Sequence, residues 1–204
     1  MNHITLYGSP LSLYTGRARS YLIKAGLDYR EITATTAHYR EQVLPKAGNR
    51  QGIPTLETAD GEVIRDGAAI IDYYENRSGN TFSPPTACQQ VVSRLFDVIG
   101  AEGLLRPAMH YRWNFPEENL DFLRFHFTTN VPPLPNREQV AEGTMDRMRG
   151  AGMAFGAVTE TYALVESLYE RLLDRLNAHF AEHPYLLGGR PCIGDFGTSS
   201  TVGV

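Results

Sequence analysis

The sequence predicts a small α/β domain followed by an all-α domain. Strand-like and helix-like segments alternate up to about Gly79, strand patterns stop after the proline-rich stretch 83–85, and only helical periodicity continues beyond it. Alternating strands and helices are typical of a sheet covered by helices, whereas a run of helices indicates a bundle. We therefore expect an N-terminal domain at 1–79, a linker at 80–88 and a helical C-terminal domain at 89–204.

The first half of the N-terminal domain predicts a β-α-β unit. Residues 4–7 alternate in polarity and lead into Gly8-Ser9-Pro10, which is typical of a short strand that ends in a loop. A helical pattern follows and stops at Gly26, and residues 29–32 predict a second strand. Two strands joined through a helix are expected to be parallel. Residues 38–44 predict a further short helix.

The second half predicts a hairpin and a closing helix. The pair Asp60-Gly61 separates two β-prone runs, 52–57 and 63–64, and glycine tolerates the positive φ that a tight turn requires. A helix from Ala68 to about Arg77 then closes the domain. The resulting order, β-α-β-(α)-β-β-α, is that of a thioredoxin-like domain.

The remaining chain predicts helices and no strands. We expect helices at 88–105, 117–127 and 159–181, of which the last has the clearest apolar stripe. A loop is expected at 128–137, because the prolines there cannot lie inside a helix. The aromatic-rich segment 111–127 either packs in a core or lines a pocket.

Composition argues against several functional classes. A formal net charge of −4 and a pI near 5.9 disfavour a nucleic-acid partner, because such proteins usually carry basic patches. No apolar run reaches the roughly 18 residues needed to cross a bilayer, so we expect no membrane partner. The N-terminus lacks a basic or apolar signal region, which favours a cytoplasmic location. Cys88 and Cys192 form neither a CxxC pair nor a zinc-ligand set, so we expect reduced thiols and no metal.

The first strand-to-helix turn contains the leading candidate for chemistry. Ser12 precedes the first helix, where backbone N–H groups and the helix dipole favour an anion. Lowering a thiol pKa of about 8.5 by about two units requires about 2.7 kcal/mol. A hydroxyl that donates to the thiolate, together with a helix terminus, supplies an amount of that order. The alternative is that Ser12 only caps the helix.

Two further segments could bind a small peptide-like molecule. Pro54 is either an edge residue or a cis proline, and a cis bond would turn the Ile53 backbone outward to pair with a ligand. Asp66 precedes a helix, where its carboxylate could receive an ammonium group or simply cap the helix. Gly67 would present its N–H at the same helix terminus.

These segments, in this order, resemble the glutathione S-transferase superfamily. The resemblance is carried by Tyr7-Gly8-Ser9-Pro10-Leu11-Ser12 followed by Arg17, by Gly52-Ile53-Pro54-Thr55-Leu56, and by Asp66-Gly67-Ala68-Ala69-Ile70. Near the other end, 184–196 is similar to the signature that starts a core helix of the family's helical domain. The resemblance implies glutathione as co-substrate, a small electrophile as second substrate, and a homodimer.

The resemblance also implies catalytic residues. Ser12 matches the position that activates the thiol, and Tyr7 is the second candidate, with an ordinary sheet residue as the alternative. Because position 12 is serine rather than cysteine, thiolate activation is implied and a glutathione-dependent oxidoreductase is not expected. The aromatic segment 111–127 would lie where the family places the co-substrate pocket.

For glutathione binding, the resemblance assigns roles to five residues. Ile53 would pair with the cysteinyl backbone, and Pro54 would be the cis proline. Asp66 and Gly67 would hold the γ-glutamyl end, with Gln51 nearby.

Two positions and the C-terminal segment depart from the family pattern. Gly67 replaces a serine, and losing one hydrogen bond to a charged group could weaken binding about 10- to 100-fold. Cys192 replaces the usual capping Ser or Thr. After Phe196 the family continues into a core helix, whereas 197–204 is polar, β-branched and predicts weak helix formation, so we expect an incomplete helical domain. These departures support a second hypothesis, a catalytically weak or inactive binding or scaffold module.

Overall fold

The computed structural model describes residues 3–202, and its first part contains the small mixed sheet that the sequence predicts. The strands are β1 (Ile4–Tyr7), β2 (Tyr29–Ile32), β3 (Thr55–Glu57) and β4 (Val63–Arg65). They lie in the order β2-β1-β3-β4; β1 is parallel to β2 and antiparallel to β3, and β3 is antiparallel to β4. The parallel pair and the hairpin are both confirmed, and Gly61 adopts the positive φ of 81° in the hairpin turn.

Helices cover both faces of this sheet. Helices α1 (Leu13–Lys24) and α3 (Gly67–Ser78) pack on one face, where Leu6 lies in a shared core with residues of both helices. A π-helical turn (Tyr39–Val43) and the short α2 (Leu44–Lys46) cover the other face, which carries Tyr7. Successive strand residues point to opposite faces, so Leu6 and Tyr7 enter separate cores. Residues 79–86 then form no helix or strand.

The rest of the described chain is helical. The helices are α4 (Ala87–Val98), α5 (Leu105–Trp113), α6 (Pro116–Thr129), α7 (Arg137–Ala154), α8 (Tyr162–Phe180) and α9 (Ile193–Val202). None of these, nor any other helix within residues 3–202, is long and apolar enough to cross a membrane.

The prediction of one helix over 88–105 holds only in part. Helix α4 ends at Val98, a π-helical turn occupies Ile99–Gly103, and α5 begins at Leu105. The break coincides with a close helix crossing: a Cβ on Gly100 would lie 2.4 Å from the backbone carbon of Gly197. Helix α7 was not predicted, because few apolar residues and several glycines leave it without a clear apolar stripe.

The sequence also predicts weak helix formation after Phe196, but in the structure helix α9 continues to Val202. Helix α9 is largely buried and lies directly on α4, since a Cβ on Gly194 would approach the Phe96 Cβ to 2.6 Å. Tertiary packing therefore outweighs the low helix propensity of this stretch. Residues 203 and 204 of the predicted weak segment lie outside the described residues.

The helix predicted at 159–181 is present as α8, but its apolar stripe is not a buried face. Val165 is buried, whereas Leu168 is 51% exposed and Phe180 is 39% exposed. Helix α9 instead supplies the link between the two parts of the chain. Ile193 and Phe196 enter the core of the N-terminal sheet domain, where the Phe196 ring packs edge-to-face on Tyr21.

Candidate functional site

A cleft of about 680 Å³ opens between the N-terminal sheet domain and the helical part. Three of the residues singled out from the sequence line it, namely Ser12, Gln51 and Ile53. A second groove, of about 740 Å³ between α1, α8 and α9, contains none of them. The cleft is therefore the candidate site.

Ser12 combines two hydrogen-bonding roles at the start of α1. It is the N-cap residue, with extended backbone angles (φ −82°, ψ 117°), and its Oγ accepts the Thr15 N–H at 3.1 Å. A serine hydroxyl has one donor hydrogen and two acceptor lone pairs, so capping uses only a lone pair. Within residues 3–202 the Ser12 hydroxyl donates to no protein atom, which leaves its hydrogen free for a ligand in the cleft.

The backbone beside Ser12 offers further donors. The N–H groups of Leu13 and Tyr14 have no acceptor among the described residues, and both residues line the cleft. The first N–H groups of a helix lack intrahelical partners, and the helix dipole adds partial positive charge there. Together with the Ser12 hydroxyl, these groups can stabilise an anion such as a thiolate.

The segment from Gln51 to Pro54 forms another wall of the site. The Ile53–Pro54 peptide bond is cis, as predicted. Neither the N–H nor the C=O of Ile53 is hydrogen-bonded to another described residue. The Pro54 carbonyl accepts the Asp66 N–H at 3.1 Å, which ties this segment to the start of α3.

Asp66 and Gly67 lie at the amino end of α3, next to the cleft rather than in its wall. The Asp66 backbone has a positive φ of 77°, a conformation that non-glycine residues rarely adopt and that occurs more often at functional sites. Its Oδ1 accepts the Ala68 N–H at 2.8 Å, so the capping role is present. Gly67 packs against the first turn of α1, since a Cβ there would lie 3.2 Å from the Tyr14 carbonyl oxygen.

Tyr7, the second candidate hydroxyl, is not brought to the cleft. Its side chain is fully buried on the other face of the sheet, 4.9 Å from Tyr39 between ring centroids. Its hydroxyl donates to Glu57 Oε2 at 2.9 Å. Burial, and then this hydrogen bond, raise the pKa of the Tyr7 phenol well above its usual value. Of the two hydroxyls, only that of Ser12 faces the cleft.

Arg112 is a cleft residue that the sequence analysis missed. It extends from α5, is half-buried, and donates from Nη2 to the Leu11 carbonyl oxygen at 2.8 Å. Burial lowers the pKa of its guanidinium. Its contact with Leu11 joins residues that are distant in sequence, so no local pattern in the sequence indicated its place in the cleft.

Segment 111–127 was expected either to pack in a core or to line a pocket, and each alternative holds for different residues of the segment. Phe127 lines the cleft, Trp113 is buried in the helical core, and Phe122 and Phe125 are exposed. The far wall of the cleft is formed by α7, which the sequence did not predict. Among residues 3–202, no group of three or more His, Cys, Asp or Glu side chains could hold a metal ion.

Comparison with known proteins identifies the N-terminal domain and the fold. Residues 6–82 match a family model described as the glutathione S-transferase N-terminal domain. A search of curated proteins gave no match.

Three solved structures are similar over nearly the whole chain. A glutathione transferase from Phanerochaete chrysosporium is 17% identical, with a TM-score of 0.63 over 98% of this chain and 82% of that one. A glutathione S-transferase from Rhodospirillum rubrum is 16% identical, with a TM-score of 0.59 over 98% and 76% of the two chains. A theta class enzyme from Xanthomonas axonopodis pv. citri, solved with glutathione bound, is 20% identical, with a TM-score of 0.51 over 99% and 82%.

At these identities the structural likeness establishes the fold, and the family model identifies the N-terminal domain. The cleft also lies where the two parts of this fold meet. Residues 6–82 therefore match the glutathione S-transferase N-terminal domain, and the chain as a whole has the fold of the glutathione S-transferases to which it is similar.

Proposed function

We propose that this protein binds glutathione in the 680 Å³ cleft and activates its thiol for attack on a small electrophile. One observation carries the proposal. The Ser12 hydroxyl caps α1 through a lone pair, keeps its hydrogen for a ligand, and lies beside two backbone N–H groups that have no acceptor within residues 3–202. Such a set of donors favours a thiolate over a thiol.

Glutathione binding would use the residues around this anion site. The unpaired Ile53 N–H and C=O would bond to the cysteinyl backbone of glutathione as an added strand. The Asp66 carboxylate would accept hydrogen bonds from the ammonium group of the γ-glutamyl residue of glutathione. The Gly67 N–H would donate to the α-carboxylate of the same γ-glutamyl residue, and Gln51 would lie nearby. The glutathione bound to the Xanthomonas relative supports this ligand.

The chemistry is a simple substitution or addition at the electrophile. The thiol proton leaves to solvent, and the thiolate sulfur forms a bond to the electrophilic carbon. In a substitution, the bond from that carbon to the leaving group breaks and the leaving group takes the electron pair. In an addition, the π electrons of the attacked double bond move to its other atom, which takes up a proton from solvent. A pKa shift of about two units raises the thiolate fraction at pH 7 at most about 30-fold. Positioning of the sulfur against the electrophile, and the reactivity of the electrophile itself, must supply the rest of the rate.

The homodimer, the cytoplasmic location and the domain boundaries stay predictions.

Calorimetric titration with glutathione tests the proposal directly. We expect saturable binding at micromolar to millimolar glutathione, the range in which KM values of many enzymes lie. No heat at millimolar glutathione would contradict the proposal and favour the non-catalytic scaffold, which the missing hydroxyl at Gly67 supports.

The Ser12→Ala variant tests the role of the hydroxyl. We expect glutathione affinity to stay within a few-fold, while conjugation at pH 6 falls about 10- to 100-fold because one hydrogen bond to the thiolate is lost. The apparent pKa of kcat/KM should rise by about one to two units, and the rates of the two proteins should converge above about pH 9.

The control is Ser12→Thr, which keeps both the cap and the hydroxyl. Ser12→Ala removes both the helix cap and the hydroxyl group, and loss of the cap costs about 1 kcal/mol of stability. Comparison with Ser12→Thr therefore separates thiol activation from helix capping. Unchanged turnover and an unchanged pH profile in Ser12→Ala would assign the activation to the backbone donors alone.

A further inference from the structure

We propose that the cleft selects electrophiles that carry a carboxylate, and that Arg112 binds this group. The inference rests on the proposed function, since the carboxylate-bearing molecule is its second substrate. Arg112 would thus be a specificity-determining residue for the co-substrate.

The first argument is that Arg112 has unused donors inside the cleft. A guanidinium carries five N–H groups in a planar fork that fits a carboxylate through two parallel hydrogen bonds. Arg112 uses one of them on the Leu11 carbonyl and forms no ion pair with any carboxylate in residues 3–202. The buried Arg17 pairs with Asp97, and the half-buried Arg19 pairs with Glu31. Arg65 and Arg137 are also half-buried without an ion pair among the described residues, but they lie outside the cleft.

The second argument is the charge of the cleft. No Asp or Glu is among the residues that line it, whereas Arg112 lies in its wall and Arg147 at its exposed rim. A site with positive charge and no acidic side chain attracts anions and disfavours cations. Removal of the guanidinium from solvent, which lowers its pKa, strengthens the preference for a ligand that restores a negative partner.

The third argument is the chemistry of the surrounding wall. The wall that the helical part contributes to the cleft is mostly apolar, and its large apolar side chains include Leu105, Met109, Phe127, Val140, Met148 and Phe155. A ligand that fits both features has an apolar body, such as an aromatic ring, and one carboxylate. The Leu11 carbonyl that Arg112 holds directly precedes Ser12, so the bound carboxylate would lie close to the proposed sulfur site.

A suitable reactive probe is 4-chloro-3,5-dinitrobenzoate, with its methyl ester as the uncharged analogue. The thiolate sulfur attacks the ring carbon that bears chlorine, a C–S bond forms, and the C–Cl bond breaks as chloride leaves with the electron pair. No oxidant or reductant is required. The ester is the more apolar of the two, so a preference for the acid cannot arise from hydrophobic burial.

The decisive measurement is binding, with 3,5-dinitrobenzoate and its methyl ester, which lack the leaving group. Calorimetry with glutathione present should show that the wild-type protein binds the acid at least about 10-fold more tightly than the ester. Arg112→Gln should lose about 10- to 100-fold in affinity for the acid and change less than about three-fold for the ester. Arg112→Lys, which keeps the charge without the planar fork, should restore part of the loss.

Arg171→Gln is the charge-matched control, because Arg171 is exposed on α8 and lies outside the cleft. It should leave both affinities within about two-fold. Conjugation of the reactive acid and ester by wild-type protein and Arg112→Gln gives the same comparison in kcat/KM.

Several results would overturn the inference: equal affinity for acid and ester, an unaffected Arg112→Gln, or equal losses on both ligands in a variant with an unchanged circular dichroism spectrum. A loss of glutathione binding in Arg112→Gln would reassign Arg112 to glutathione. Failure of the proposed function is distinguishable, because it would appear as absent glutathione binding in the wild-type protein, while the acid and ester titrations without glutathione still decide the role of Arg112.

Discussion

Gly67 lies at a position of the proposed glutathione site where one added hydroxyl group should change the affinity for glutathione. A Cβ at this position would lie 3.2 Å from the Tyr14 carbonyl oxygen and 3.4 Å from the Arg17 Cδ, which is tight but not prohibitive. A serine could therefore be accommodated by a shift of a few tenths of an ångström. Its hydroxyl would lie at the amino end of α3, where the γ-glutamyl group is proposed to bind.

We expect Gly67→Ser to bind glutathione about 10- to 100-fold more tightly than Gly67→Ala, because a hydrogen bond to a charged group is gained. The alanine variant is the control, since it introduces the same Cβ contact with Tyr14 but no hydroxyl. Calorimetric titration of both variants measures the difference. Equal affinities would show that the hydroxyl does not reach glutathione.

The residues of the site differ in how far local sequence could predict them. Ser12 as a helix cap follows from a local pattern, because capping depends on adjacent residues. The local pattern left Pro54 open between an edge residue and a cis proline, and only the family resemblance implied the cis bond. Strand alternation indicated that Tyr7 faces away from Leu6, but it could not say which face borders the cleft. Arg112 depends on a contact with Leu11 that is distant in sequence, so no local pattern reports it.

At the scale of elements, local sequence patterns also fail to report contacts between distant segments, as α8 and α9 show. The periodic stripe of α8 predicted the helix correctly but not its exposure, because burial depends on which other elements pack against it. Helix α9 has low propensity and forms nevertheless, because its start is fixed by side-chain hydrogen bonds and its glycines admit close packing. Asp195 is the centre of this start: its Oδ2 accepts the Cys192 N–H at 2.7 Å, and its Oδ1 accepts the Leu186 N–H at 2.9 Å.

Asp195→Ala should therefore destabilise the protein by about 2–3 kcal/mol, because two backbone donors lose a charged acceptor. For a chain of this size, Tm should fall by roughly 4–12 °C. Thermal unfolding followed by circular dichroism measures the change. Asp174→Ala is the matched control, since Asp174 is exposed on α8 and should change stability by less than about 0.5 kcal/mol. A Tm for Asp195→Ala equal to that of the control would exclude the capping role.

For the whole molecule, α9 and α4 set the relative position of the sheet domain and the helical part, and hence the shape of the cleft. Helix α9 contributes Ile193 and Phe196 to the core of the sheet domain while it lies on α4. Arg17 of α1 and Asp97 of α4 form a buried ion pair at the same junction. Removing one partner of such a pair would leave an uncompensated charge, so the junction resists rearrangement.

The helix crossing at Gly100 tests this view of the junction. A Cβ on Gly100 would lie 2.4 Å from the Gly197 backbone carbon and from the Thr198 nitrogen, and backbone atoms cannot move aside as a flexible side chain can. We expect Gly100→Ala to destabilise the protein by about 1–3 kcal/mol through overpacking, although alanine favours helices. Gly143→Ala makes the same chemical change in the middle of α7, where a Cβ meets nothing within 4 Å, and should stabilise by about 0.5–1 kcal/mol. Urea unfolding of both variants measures the two free energies. If both substitutions changed stability in the same direction, close contact of α9 with the π-helical turn after α4 would not be what holds the two parts of the molecule together.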